Sequence, residues 1–346
     1  MKVLIVGAGV AGLGIGWRLA QAGVQVTILE RSEPASGATF AAAGMLAATA
    51  EMAGAPEPEI VLAGHARALW PDFAAELEKA SAVPVGYRQN GALLVEPSRP
   101  AVLPSKTIWL DPAAARSRAP LLGEIAGAIW APEEAQADSR ALGRALTVAF
   151  ALAGGEMITG VTVTAVAGGE AVTAGGCHRA DAVILAAGAW SGLVADAVPV
   201  TPVKGEMILL TPSPGAVPPE PVVWGEGVYL VPRGEALMVG ATVEDAGFDT
   251  AVTTRARDTL RAGAEKLMPS LRDWTPTDQW AGLRPRSPDG LPLLGPLADG
   301  LFVAGGQYRN GILFAPVIAD HMRDLVLGLS PVNPAFDPRR FAKRPP

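Results

Sequence analysis

Six residues near the start constrain this chain more than any others: Gly7-Ala8-Gly9-Val10-Ala11-Gly12 has the spacing G-x-G-x-x-G. The run directly follows the β-branched stretch Lys2 to Val6 and leads into a helix-like stretch, Gly12 to Ala22. A second apolar run, Gln25 to Leu29, ends at Glu30, so the chain opens on a β-α-β unit. In that setting the glycines read as a dinucleotide fingerprint, whereas the spacing alone would be a weak signal. Gly7 permits the tight turn, Gly9 lets a pyrophosphate lie against bare backbone, and Gly12 lets the helix pack on the strand. Glu30, at the end of the second strand, can accept hydrogen bonds from both ribose hydroxyls of an adenosine and would repel a 2′-phosphate. A generic turn and a solvated strand end would explain these residues one at a time, but their joint register favours a nucleotide. NAD and FAD remain open at this point.

With 346 residues the chain exceeds the size at which one hydrophobic core keeps growing, so two structural units are expected. The apolar run Ala182 to Ala195 is bounded by Asp181 and Asp196, short of the ~18 to 20 residues of a membrane span. Met1-Lys2 and the apolar residues to Trp17 superficially suit a signal peptide, but the glycine spacing and the missing cleavage site favour mature structure. The net charge of −6, with no basic run longer than Arg339-Arg340, leaves no footprint for nucleic acid or anionic lipid, so the expected partner is a small molecule. Cys177 is alone, and His65, His178 and His321 cannot assemble the usual nitrogen and sulfur metal-ligand sets. No metal and a reducing, cytoplasmic setting are therefore expected.

Strand character recurs at Val85 to Arg88, Ala92 to Val95, Ala128 to Trp130, Met207 to Leu210, Val228 to Val231 and Leu237 to Gly240. Turn residues separate these pieces, which predicts an antiparallel sheet. The parallel, buried style returns at Asp181 to Ala187, leading into Gly188, and at Leu301 to Ala304, leading into Gly305-Gly306. The expected architecture is thus α/β: a discontinuous Rossmann-like nucleotide domain (1–80, 138–198 and 285–346) with an inserted antiparallel-sheet substrate domain (81–137 and 199–284). Gly37 to Ala50 is almost wholly small and apolar, which suits close backbone approach to a ligand face and equally suits helix packing. The Pro-rich stretch Thr211 to Pro221 reads as a surface loop.

The far C-terminal segment separates the two nucleotides. Phe302-Val303-Ala304-Gly305-Gly306-Gln307-Tyr308-Arg309-Asn310-Gly311-Ile312 runs from a buried strand through a turn toward a helix, with Pro316 suited to its first turn. A second glycine-rich strand-turn of this kind is expected for a resident flavin and is lacking in simple NAD-binding units.

Together with Ala41-Ala42-Ala43-Gly44-Met45-Leu46, Tyr229-Leu230-Val231-Pro232-Arg233, Gly240-Ala241-Thr242 and Trp280-Ala281-Gly282-Leu283-Arg284-Pro285, this segment carries a likeness over nearly the whole length. The chain resembles the glycine oxidases of the D-amino-acid oxidase family, FAD-dependent oxidoreductases linked to thiazole formation in thiamine synthesis. The resemblance implies that Val10, Ala11, Glu30, Arg31, Ala38, Thr39, Ala43, Gly44, Met45 and Val163 contact FAD. It implies the same for Gln307, Tyr308, Arg309, Asn310, Gly311, Ile312 and Leu313, and Gly188 joins the cofactor candidates. Cys177 lies in a Gly-Gly-Cys-His turn away from these motifs, so FAD is expected to be non-covalent.

A guanidinium matches a carboxylate in two-point geometry, and the resemblance assigns that role to Arg284, with Arg309 also near the substrate acid and Tyr229 bonding it or shaping the pocket. Surface salt bridging and an ordinary sheet aromatic are the plain alternatives. The implied reaction takes a small amino acid and O2, passes the α-hydrogen to the flavin as hydride, and releases imine and peroxide; no protein base is needed. Rival readings are a sarcosine, proline or D-amino-acid oxidase or dehydrogenase, a non-catalytic flavin-binding protein, and an NAD-dependent dehydrogenase. Family members commonly assemble, so a homo-oligomer is among the implied states. The chain departs from the glycine-oxidase pattern at Gly227, Val243 and Gln307, which are expected to border the pocket, and is short between Pro100 and Trp109.

Overall fold

The structure is a computed structural model, and it describes all residues except Ala53 and 343–346. Strand β1 (Lys2–Val6) is followed by helix α1 (Val10–Gln21) and strand β2 (Gln25–Leu29), and β1 runs parallel to β2 in register. On its other side β1 pairs in parallel with Ala182–Leu185, which pairs in parallel with Leu301–Gly305. Glu156–Ile158 extends the sheet beyond β2, and Leu293–Ala298 closes the opposite edge in antiparallel sense. Continuous apolar runs make such strands because the sheet is covered on both faces. Val3 and Ile5 face a core shared with α1 and with the helices Glu57–Ser81, Ser139–Leu152 and Ala315–Val326. Leu4 and Val6 point the other way, into a core with Val163 and Ala171 of a three-stranded antiparallel sheet.

The second sheet has eight strands in the order Thr275–Arg286, Thr201–Thr211, Ala236–Gly240, Val228–Arg233, Val222–Gly225, Ala92–Glu96, Gly127–Ala131, Ile108–Leu110. Its strands come from 81–137 and 199–284, the last one running on to Arg286, while the six-stranded sheet draws on 1–80, 138–198 and 285–346. The sheet is mixed rather than purely antiparallel, because Val222–Gly225 pairs in parallel with Ala92–Glu96. More than a hundred residues separate these two strands, so no hairpin dictates their direction. Val85 to Arg88 is not a strand: Pro84 precedes it, Gly86 has φ +64°, and Arg88 makes only an isolated bridge to Gln136. Among the described residues no helix is long and apolar enough to cross a membrane.

The two longest strands, Thr201–Thr211 and Thr275–Arg286, pair along their whole length and set Arg284 opposite Val203. Strand alternation then sends Gly205 and Met207 to one face and Lys204 and Glu206 to the other. Lys204 and Glu206 are fully buried and 3.2 Å apart. Lys204 Nζ donates to the Ala251 carbonyl at 2.5 Å, while Glu206 accepts from the Thr253 amide and from Gln279 Nε2, both at 2.8 Å. The pair therefore staples the 241–253 loop onto the sheet. Removing one member of such a pair strands the other charge, so Lys204→Ala should cost about 3 to 5 kcal/mol in urea unfolding; a cost under about 1 kcal/mol would show that the staple is dispensable.

Candidate active site

A cavity of about 850 Å3 opens between the glycine-rich loop and the long strands of the second sheet. That volume lies within the range of cofactor and substrate sites, roughly 300 to 1,000 Å3. At the loop, Gly7 has φ +105°, and a Cβ there would stand 2.6 Å from the Ala186 carbonyl oxygen. Gly9 lines the cavity, and a Cβ on it would meet nothing nearer than Thr39 Oγ1 at 3.6 Å, so the absent side chain leaves space on the cavity wall. Gly9 also starts α1 without a side-chain cap, which suits an anion at the helix N-terminus. Glu30 accepts from the Ala8 amide at 2.7 Å and the Ser32 amide at 2.9 Å, holding its carboxylate at the cavity edge with lone pairs to spare. Arg31 lies 3.6 Å over the Trp190 ring, beside Val163 and Gly188.

The small-residue stretch becomes a short helix, Ala38–Ala41, then a two-residue strand, Met45–Leu46. Thr39 Oγ1 accepts from the Val10 amide at 2.9 Å, which ties this segment to the glycine loop. Arg233 Nη2 donates to the carbonyls of Ala43 at 2.6 Å and Ala137 at 3.2 Å, locking the backbone where Ala43, Gly44 and Met45 line the cavity. From the C-terminal segment, Gln307, Tyr308, Arg309, Asn310, Gly311 and Ile312 complete the wall beside Val10, Ala11 and Ala38. Gln307 Nε2 is buried without a hydrogen-bond partner, the state expected of a donor kept for a ligand.

Two candidates do not reach the cavity. Gly12 is packed under the loop, where a Cβ would lie 1.9 Å from the Gly7 carbonyl oxygen, so it serves helix-to-strand packing. Leu313 is buried in the helical core, its carbonyl accepting the Trp70 indole N–H at 2.8 Å. Of the three departures from the glycine-oxidase pattern, Gln307 alone lines the cavity; Gly227 and Val243 do not, and the Val243 side chain is exposed.

Gly205, Met207, Tyr229 and Arg284 line the far side. Arg284 is half-buried, and its Nη1 donates to the carbonyls of Thr242 at 3.1 Å and Lys204 at 3.4 Å. Among the described residues no carboxylate pairs with it. The guanidinium lies against Gly205, where a Cβ would meet Nη1 at 2.2 Å. Tyr229 is buried, and its hydroxyl donates to Met207 Sδ at 3.3 Å. Burial pushes that hydroxyl above its ordinary pKa, while Arg284 and Arg309 pull it back, so it stays protonated.

Arg309 differs from Arg284. Its Nε and Nη2 donate to the two oxygens of Glu51, at 2.6 and 3.0 Å. Burial works to weaken the Arg309 charge, but Glu51 outweighs it and raises the pKa. Asn310 is tied to Glu59 at 2.9 Å. Glu51, Trp190 and Arg233 are the site residues that the sequence left without a role. Each acts through a partner remote in sequence or through backbone contacts, so no local motif announces it.

The family model described as FAD dependent oxidoreductase (DAO) matches residues 2–325. The chain belongs to this family. A bifunctional protein ThiO/ThiG of Synechocystis sp. is 39% identical over 98% of this chain, which spans about half (54%) of that relative's length. A glycine oxidase of Geobacillus kaustophilus is 34% identical, covering 94% of this chain and 92% of the relative. The crystal structure of glycine oxidase from that organism superposes with a TM-score of 0.88 at 32% identity over 98% of both chains.

As an FAD dependent oxidoreductase the chain uses FAD, and its residues fit the group. The bare wall at Gly9, the uncapped start of α1 and the unpartnered amide of Gln307 are where a dinucleotide and a polar ring edge would be held. Cys177 sits exposed on Gly176–Arg179 and does not line the cavity. Because Gly9→Val would put a branched side chain on the bare wall where a pyrophosphate would be held, the purified variant should carry at least about tenfold less flavin by visible absorbance. A variant as yellow as the parent would move the nucleotide elsewhere.

Next to the site, Glu134 is buried and accepts from the Thr49 amide at 2.7 Å, supporting the loop that carries Glu51. Burial pushes its pKa from 4.5 up to about 7, against the pull of Thr49 and Arg67, and its Oε2 has no partner. The folded state thus holds this proton more tightly than the unfolded state. Its contribution is fully present below pH ~4.5, falls by about 3 kcal/mol as pH rises toward 7, and is then gone. Glu134→Gln should flatten that part of the stability profile in urea unfolding, and a profile of unchanged slope would show that Glu134 is ionised throughout.

Proposed function

We propose that this FAD dependent oxidoreductase is an amino acid oxidase acting on glycine or another small amino acid. The observation that carries the reading is Arg284: a half-buried guanidinium, held by neutral carbonyls and opposed by no carboxylate among the described residues, in the wall of a cofactor-sized cavity. Two of its N–H donors can take an amino acid carboxylate in parallel. The Tyr229 hydroxyl stands on the same wall, protonated and able to turn from Met207 to a substrate oxygen. Fixing the carboxylate orients the α-carbon, and that positioning supplies much of the rate.

A flavin held in this cavity would supply the hydride acceptor for the α-hydrogen and a route for the electrons to O2, with imine and peroxide as products. Among the described residues no cavity-lining residue is a His or Cys, and the lining carboxylates are Glu30 and Glu33 by the nucleotide loop and Glu51, which is paired with Arg309. The substrate amine therefore has to arrive already neutral. The names glycine oxidase and ThiO/ThiG among the relatives support glycine as substrate and thiazole formation in thiamine synthesis as the use of the imine. The proposal includes a cytoplasmic setting and the two-domain division drawn from the sequence, with the cavity at the junction of the domains.

Replacing Arg284 with Ala removes the counter-charge of a partly buried carboxylate, worth ~3 to 5 kcal/mol or roughly two to four decades in kcat/KM for glycine. Peroxide-coupled steady-state assays measure this directly. A loss under about tenfold, with flavin content retained, would remove Arg284 as the anchor.

A further inference from the structure

Among the described residues three arginines line the cavity, and they are in different states. Arg31 is stacked on Trp190 at the nucleotide end. Arg284 keeps its charge uncompensated, whereas Arg309 is neutralised by a two-point pair with Glu51, whose side chain is 11% exposed. Arg284, Arg309, Glu51 and Tyr229 all line the same cavity. A buried or half-buried guanidinium left free there would be a second anion site. Pairing cancels that attraction, and the Glu51 carboxylate also repels an incoming acid.

We infer that Glu51 sets the number of acid groups the substrate carries: by holding Arg309 it leaves one free carboxylate anchor, so the cavity takes monocarboxylic amines and discriminates against dicarboxylic ones. The inference rests on the proposed role of Arg284 and adds a specificity-determining residue to it. Glu51 comes from a 3-10 turn (Ala50–Met52), and its loop is supported by Glu134 through Thr49. The selectivity filter is thus built from the N-terminal part of the chain, while the anchor comes from the second sheet.

The test uses the holoenzyme. Acetate and malonate are titrated against the flavin absorbance, and kcat/KM is measured for glycine and for iminodiacetate, its N-carboxymethyl derivative. In Glu51→Gln the malonate-to-acetate affinity ratio should move at least about tenfold toward malonate, and the iminodiacetate-to-glycine ratio should move the same way. Glu51→Asp, which keeps the charge, should stay within about threefold of the parent ratio. The double variant Glu51→Gln/Arg309→Leu should lose the gain, because the unmasked guanidinium is then missing. Glu51→Ala removes charge and hydrogen-bonding head together and must shift the ratio in the same direction as Glu51→Gln.

An unmoved ratio in flavin-replete Glu51→Gln and Glu51→Ala would overturn the inference, as would a gain that survives loss of Arg309. If the parent protein binds acetate but oxidises neither amine, the proposed reaction fails while the affinity ratio still reports on Glu51.

Discussion

The site depends on how one positive charge is held without being cancelled. Arg284 is oriented by carbonyl oxygens of Lys204 and Thr242, which are dipoles and not counter-ions. A carboxylate in their place would fix the side chain equally well and remove its use. The carbonyls themselves are fixed by the pairing of Thr201–Thr211 with Thr275–Arg286 and by the 241–253 loop, which is stapled through the buried Lys204–Glu206 pair. A costly interaction under the sheet thus keeps a cheaper and more useful one open on its other face. Arg309 shows the contrast, since its two-point pair with Glu51 gives a rigid and neutral unit.

Much of this was legible from local pattern, where the pattern has a backbone cause. The N-terminal β-α-β unit follows from β-branched runs and glycine spacing because a tight turn, a bare cradle and close helix packing each exclude side chains. The C-terminal strand-turn-helix was readable for similar reasons, as were most strands of the second sheet. Val85 to Arg88 misled because Gly86 takes a positive φ within its apolar alternation and Pro84, which has no amide donor, precedes it. The resemblance implied a cofactor contact for Leu313, but the side chain is buried in the helical core just before the helix that starts at Ala315.

Glu51 was invisible for a different reason. It is one acid in an apolar, alanine-rich stretch, and its partner lies 258 positions away. No periodicity or motif connects them, and only the closing of the chain brings the C-terminal turn back onto the N-terminal segment. Arg233 is similar: it sits in a recognisable Tyr-Leu-Val-Pro-Arg run, yet its work is done on the carbonyls of Ala43 and Ala137. Residues that act on backbone groups elsewhere leave little trace in their own neighbourhood.

The anchor also depends on an atom that is missing. Gly205 lies in the middle of a long strand, where glycine is normally a weakness, and the Arg284 guanidinium occupies the place of its side chain. Even a methyl group there would overlap the guanidinium and force the Arg284 side chain to move. A side chain at residue 205 would compete with the guanidinium for one volume, so the observed placement of the charge requires glycine there. An apparently featureless strand position in this way decides where the charge rests.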